Sequence, residues 1–302
     1  MGINLQKIKK WTKMLAGNSS YHVNQVEGRV YSKDEIRGYY NDLTEKVSRF
    51  GLPGDQIPVT TVDSGEKLYF PIAIFQYGLA AYDLFLLNVG DAIEMRSRVV
   101  ACANWAIDNQ QNDGSWITFA YENPNHPYSS MAQAEAISLL LRAYQIEKKE
   151  KYIEAVKKST EFMLIPIEDG GTTSYQDGDV FLYECTHDPL ILNGWIFSIW
   201  GLMDYCKFFD DSNVQNILTR TIQTLEKKLQ DFDLGYWSKY EDGKRICSPF
   251  YHKLHIAQLN VMYELTGHEI YKKYAGLWGK YQQNRINRCR AFITKACQKV
   301  FE

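Results

Sequence analysis

"HPYSSMAQAEAISLLLRAY", residues 126–144, begins as a polar, aromatic loop and continues as a run of Ala, Leu and Ile with no charge in its first turn. A stretch that is apolar nearly all round is buried on every side, so it reads as an inner helix. Three further segments follow the same plan: "FPIAIFQYGLAAYDLFLL" from Phe70, "LILNGWIFSIWGLMDYC" from Leu190 and "YHKLHIAQLNVMYELTG" from Tyr251. Their starts at Phe70, Tyr128, Leu190 and Tyr251 lie 58, 62 and 61 residues apart, which is the mark of an internal repeat.

A charged, amphipathic segment follows these helices, as in residues 148–164 and 212–232, with apolar residues at helical spacing and Lys or Glu between them. These are outer helices. Alternating inner and outer helices predict an all-α fold, an incomplete α/α toroid of about four helical hairpins, with short strands in the N-terminal region and the rim loops. An N-terminal extension, residues 1–65, would pack on the toroid of residues 66–302.

The chain has 302 residues, 45% hydrophobic and 23% charged, which suits a large core and excludes a disordered chain. It lacks a run of about eighteen apolar residues, and "MGINLQKIKKWTKMLAG" has no apolar signal core, so the expectation is a cytoplasmic protein without a transmembrane segment. The six cysteines form no CxxC pair, which disfavours a disulfide framework or a zinc site. A net charge of -2 argues against nucleic-acid binding but leaves room for a local cationic groove. The 14% aromatic content, much of it beside Gly, Asp and Asn, leans towards a cleft for sugar rings.

If the inner helices start at one rim, Gln76, Tyr77, Tyr128, Ser130, Gln133, Glu184, Asn193, Tyr251, His252 and His255 converge there, and helix N-termini suit a carboxylate ligand. Capping alone would also account for Ser129 or Ser130. The HxxH pair His252 and His255 has no third metal ligand at suitable spacing, so no metal is expected. Glu135, a carboxylate on an apolar helix, needs a partner, and Arg142 two turns later is the expected one. Asp113 in "NDGSW" reads as a turn residue.

The four segments, in this order, resemble the C-terminal helical domain of the D-glucuronyl C5-epimerases, whose corresponding stretches have forms such as YPIQIAQYGL, YSAMAQGQAIS and DYHTTHINQL. The resemblance covers about residues 65–285. It implies an isomerase acting on an anionic, uronic-acid-containing polysaccharide such as heparosan: a proton leaves C5 from one face and returns to the other. The carboxyl beside C5 acidifies that proton, so no nicotinamide or metal cofactor is implied.

By the same resemblance Tyr251, in "FYHKLH", and Tyr183, in "LYECTHDPLILNG", fall on family tyrosines and are the expected catalytic groups. The family glutamate before the second tyrosine is replaced by Leu182, and Glu184 would serve in its stead. Ser238 and Glu241 occupy the places of a family tyrosine and arginine, with Tyr240 and Arg245 nearby as substitutes, and Lys239 or Lys244 as other cations for the sugar carboxylate. Gln76, Tyr77, Tyr128, Ser130, Gln133, Asn193, Tyr240, Arg245, His252 and His255 are the expected substrate-binding set. A lyase or hydrolase on the same toroid and a non-catalytic glycan-binding protein stay open, as does a homodimer. The basic C-terminal stretch "NRINRCRAFITKACQKVFE" reads as a surface helix, with peripheral attachment to an anionic membrane as the sharper alternative.

Overall fold

The computed structural model describes residues 23–62 and 65–301, with side chains described to residue 298. The basic N-terminal stretch read above lies outside them. Two compact units form: one comprises Gly28–Thr224, the other the chain from Leu225 onward with residues 23–27. The fold is all-α with a few short strands, as the repeat predicts.

In the first unit the helix α1 (Glu45–Phe50) precedes a two-stranded ribbon, β1 (Thr60–Thr61) with β2 (Lys67–Leu68). Three helical hairpins follow: α2 (Pro71–Leu86) with α3 (Ala92–Asn109), α4 (Ser130–Ile146) with α5 (Glu150–Met163), and α6 (Leu192–Phe208) with α7 (Ser212–Lys228), whose last turn runs past the unit boundary. Between α5 and α6 lies an antiparallel pair, β3 (Thr173–Gln176) and β4 (Asp179–Leu182).

The inner-helix reading holds for the first three segments, whereas the one from Tyr251 leaves Lys253 and Glu264 exposed. Every residue from Ser130 to Ala143 in α4 and from Leu192 to Tyr205 in α6 is buried, because α4 is packed by α2, α5 and α6 together. The helices α4 and α6 approach so closely that a Cβ on Gly201 would stand 2.5 Å from Ala134, so this crossing requires glycine. The outer helix α5 buries only Tyr152, Ile153, Val156 and the residues in register with them, leaving its lysines in water.

Polar side chains fix the far end of these helices. Arg142 of α4 and Asp204 of α6 form an ion pair at 2.6 Å with side chains 1% and 0% exposed. The guanidinium also donates to the carbonyls of Arg37 (2.8 Å), Gly38 (3.0 Å) and Ser138 (2.8 Å), while the Tyr40 hydroxyl donates to Asp204 at 2.6 Å. Asp83 of α2 accepts from the Tyr39 backbone N–H at 2.8 Å. Residues 37–40 are thereby anchored by α2, α4 and α6. The expected Glu135–Arg142 pair does not form: Arg142 is committed to Asp204, on a different helix.

In the second unit a 3-10 turn (Leu229–Phe232) leads to a hairpin-like loop held by bridges Asp233–Ser238 and Lys239–Ile246, then to α8 (Pro249–Thr266), α9 (Glu269–Gln283) and α10 (Arg285–Phe301). Pro249 opens α8, and Ser248 caps it by accepting from the Tyr251 N–H.

Removing one partner of a buried ion pair strands the other charge, so Arg142→Ala is expected to destabilise the protein by about 3–5 kcal/mol. The double change Arg142→Met, Asp204→Leu should cost much less. Denaturant unfolding of both variants tests this, and equal losses would show that the charge pairing is not what matters.

Candidate functional site

In the first unit the N-terminal end of α4 is capped by the chain itself. Ser129, in an extended conformation, accepts from the Ala132 N–H at 3.2 Å. The next free donor, the Ser130 N–H, is taken by the Tyr183 carbonyl at 2.9 Å. The Ser130 hydroxyl lies 2.7 Å from that of Ser198, which donates at 2.7 Å to the Gly194 carbonyl. Ser130 is therefore a buried link between α4 and α6 and not a sugar contact.

Gln133 is likewise reassigned. Its amide oxygen accepts from the Trp116 N–H at 3.1 Å, and its nitrogen donates to the Gly114 carbonyl at 2.9 Å and the Ser159 hydroxyl at 3.2 Å. It staples the "NDGSW" loop, in which Asp113 accepts from the backbone and hydroxyl of Ser115, the turn role expected of it. Tyr77 is fully buried, with its ring edge-on to Phe50 at 5.8 Å, and so cannot reach a sugar. Tyr128 is half-buried against Phe162, centroids 4.8 Å apart.

Glu184 lies at the start of α6. Its carboxyl accepts from the Asn193 amide at 3.3 Å, and a Cβ on Gly194 would fall 2.2 Å from its oxygen, so Gly194 is what lets this carboxyl reach the helix end. The positive end of a helix suits a carboxylate there. Leu182, in the place of the family glutamate, is wholly buried in β4.

Beneath this rim stands Glu135, fully buried, with one oxygen accepting from Gln76 at 2.7 Å and the other bonded to nothing. Burial holds its carboxyl well above the ordinary 4.5, and Glu184 adds to the rise, while Gln76 and Lys46 oppose it. Burial in turn pushes the Lys46 ammonium down to about 8. Gln76 is thus a partner of Glu135. The sequence flagged Glu135, but Gln76 and Lys46 lie too far along the chain for spacing to connect them with it.

The second unit holds another cluster. Tyr240 meets Tyr251 edge-on at 4.8 Å, and the Arg245 guanidinium lies 5.5 Å from the Tyr240 ring centre. The loop closes through Tyr240 N–H to the Arg245 carbonyl at 2.8 Å, and the buried Glu241 carboxylate forms an ion pair with Arg245. Tyr251, Tyr240 and Arg245 are all half-buried. Two phenols and a cation therefore share one patch.

His252 and His255 do not line that patch. They are 0% exposed, in an aromatic core with His252 stacked on Trp237 at 3.6 Å. The His252 Nε2–H donates to the Trp278 carbonyl at 3.1 Å, which leaves Nδ1 to accept from the Ser238 hydroxyl at 2.7 Å. That hydroxyl then accepts from His255 Nδ1 at 3.3 Å. Burial lowers both imidazoles to about 3, so they stay neutral and serve the core. Ser238, in the family tyrosine's place, faces these histidines.

Residues 111–280 match the family described as D-glucuronyl C5-epimerase C-terminus. The chain belongs to that family. It is 24% identical over 207 residues to a D-glucuronyl C5-epimerase of Caenorhabditis elegans, an overlap of 59% of this chain and 34% of that protein. It is 25% identical over 155 residues to an uncharacterised protein of Methanocaldococcus jannaschii, covering 49% of this chain and 50% of the other. The chain thus spans a third to a half of the length of these relatives. Among the described residues no helix is long and apolar enough to cross a membrane.

Two pH effects follow. The histidines bind protons near 6.5 when unfolded and only near 3 when folded, so stability should fall as pH drops between those values. Trp fluorescence unfolding at stepped pH should show a shallower fall in the His252→Asn, His255→Asn protein; an unchanged slope would count against neutral histidines. Glu135 has the opposite sign: its raised value means stability is full below about 4.5 and declines as pH rises. Glu135→Gln, which keeps an acceptor for Gln76, should be the more stable protein at pH 8, roughly matching the native chain at pH 4. A gap that instead widens towards acid would refute this.

Proposed function

We propose that this chain is a C5-epimerase of uronic acid residues in an anionic polysaccharide, converting D-glucuronate to L-iduronate. The observation that carries this reading is the Tyr240–Tyr251–Arg245 cluster, lying within the stretch matched to the family. Arg245 would hold the substrate carboxylate while negative charge spreads onto it during loss of the C5 proton. Tyr251 takes or returns that proton, and its phenol can do either once a nearby cation stabilises the phenolate. Tyr240 is the partner phenol in the same patch.

For Tyr183 and Glu184, in the first unit, the same reading expects a catalytic role, with Asn193 orienting the Glu184 carboxyl and Tyr128 offering a ring face to sugar. The chemistry calls for no cofactor, because the proton is already acidified by its own carboxyl. A polysaccharide lyase would share the C5 abstraction and differ in expelling the C4 oxygen.

Incubation with non-sulfated heparosan in deuterated water decides the matter. Deuterium at C5 with an iduronate signal is the expected result, whereas a 4,5-unsaturated uronate would mean a lyase, and binding without exchange a glycan-binding protein. Tyr251→Phe should lower exchange by about 10²-fold or more, the usual contribution of a positioned acid or base. Undiminished exchange in that variant would remove Tyr251 from the mechanism. Tyr183→Phe and Glu184→Gln, assayed separately, are expected to lose exchange while retaining heparosan binding.

A further inference from the structure

The last helix is packed on its polar side and exposes its apolar one. Along α10 the residues that meet the second unit are Ala291 (3% exposed), Lys295 (6%), Thr294 and Gln298. Gln298 accepts from the Ile246 N–H at 3.0 Å and donates to the Lys244 carbonyl at 2.6 Å, while the Thr294 hydroxyl lies 3.4 Å from that of Tyr236. At about 100° per residue the opposite face carries Ile286, Cys289, Ile293 and Cys297. Ile286 is 77% exposed and Ile293 61%, with Phe292 at 40% on the flank and both cysteines exposed and free. A helix that served only to cover the body would present these faces the other way round.

The charge pattern selects the occupant. From 285 to 301 the sequence has Arg285, Arg288, Arg290, Lys295 and Lys299 and no acidic residue. Arg285, Arg288 and Arg290 are exposed and border the apolar stripe. A second copy would bring an equally cationic helix against this one. A free polyanion would satisfy the arginines but not the isoleucines.

We propose that the outer face of α10 docks on an anionic lipid surface, with Ile286, Ile293 and Phe292 entering the headgroup boundary and the arginines pairing with lipid phosphates. A stripe of apolar residues with basic flanks, too polar overall to span, is the arrangement that lies in a membrane interface. Docking of this kind would hold the protein beside a membrane without anchoring it permanently.

Flotation of the full chain with vesicles of phosphatidylglycerol mixed with phosphatidylcholine, against phosphatidylcholine alone, tests the inference. Binding to the anionic vesicles that weakens with added salt is expected. Ile286→Ser, Ile293→Ser, at exposed positions where folding is indifferent to the change, should lower that binding at least about tenfold through lost apolar burial. Undiminished binding by this variant would leave a purely ionic contact and overturn the proposal. Absence of vesicle binding, or a self-association lost in the same variant by sedimentation velocity, would overturn it too. The readout is binding and not turnover, so its outcome is separate from that of the heparosan assay.

Discussion

The ion pair of Arg142 and Asp204 fixes the geometry on which the first unit depends. Two buried charges are tolerable only where every remaining hydrogen-bonding position is filled, and here the carbonyls of Arg37, Gly38 and Ser138 and the Tyr40 hydroxyl fill them. Because the partners come from α4, α6 and the segment before α1, the pair sets the relative depth of the two helices. That depth brings Gly201 against Ala134 and, about one turn nearer the N-terminal end, Ser130 against Ser198. The same register brings the Tyr183 carbonyl to the first turn of α4 and Glu184 to that of α6. A constraint at one end of the helices thus positions candidate chemistry at the other.

How much of this was legible in the sequence depends on the range of the interaction. The inner helices were readable because their burial is written as uninterrupted apolar residues, and the outer ones because the charges between their apolar positions mark a solvent face. The pairing of Glu135 was misread. Arg142 lay at helical spacing, and only the packing of α4 on α2 reveals Gln76 as the real partner, 59 residues away. Likewise the polar residues at the start of α4 looked like ligands for a sugar, yet Ser129, Ser130 and Gln133 meet the chain's own unsatisfied groups, a need that arises only when loops from distant positions arrive there.

The exchanges at Leu182, Ser238 and Glu241 gain physical sense from burial. Leu182 and Ser238 point into packed interiors, one in the β3–β4 pair and the other towards two neutral histidines. The candidate side chains two positions on, Glu184 and Tyr240, are half-buried. Glu241, in the place of the family arginine, instead binds Arg245 and holds that cation near Tyr240.

The titratable groups divide along the same line. Apart from the Arg142–Asp204 and Glu241–Arg245 ion pairs, sealed groups are held uncharged, Glu135 by burial that favours its proton and the two histidines by burial that rejects one. Proton exchange with a substrate requires access, which the half-buried Tyr251, Tyr240 and Glu184 have and the sealed groups lack. Glu184 nevertheless acts on Glu135 through space, since two carboxyls within electrostatic reach resist ionising together. Glu184 thereby adds to the burial that keeps the proton on Glu135, while Lys46 pulls the other way.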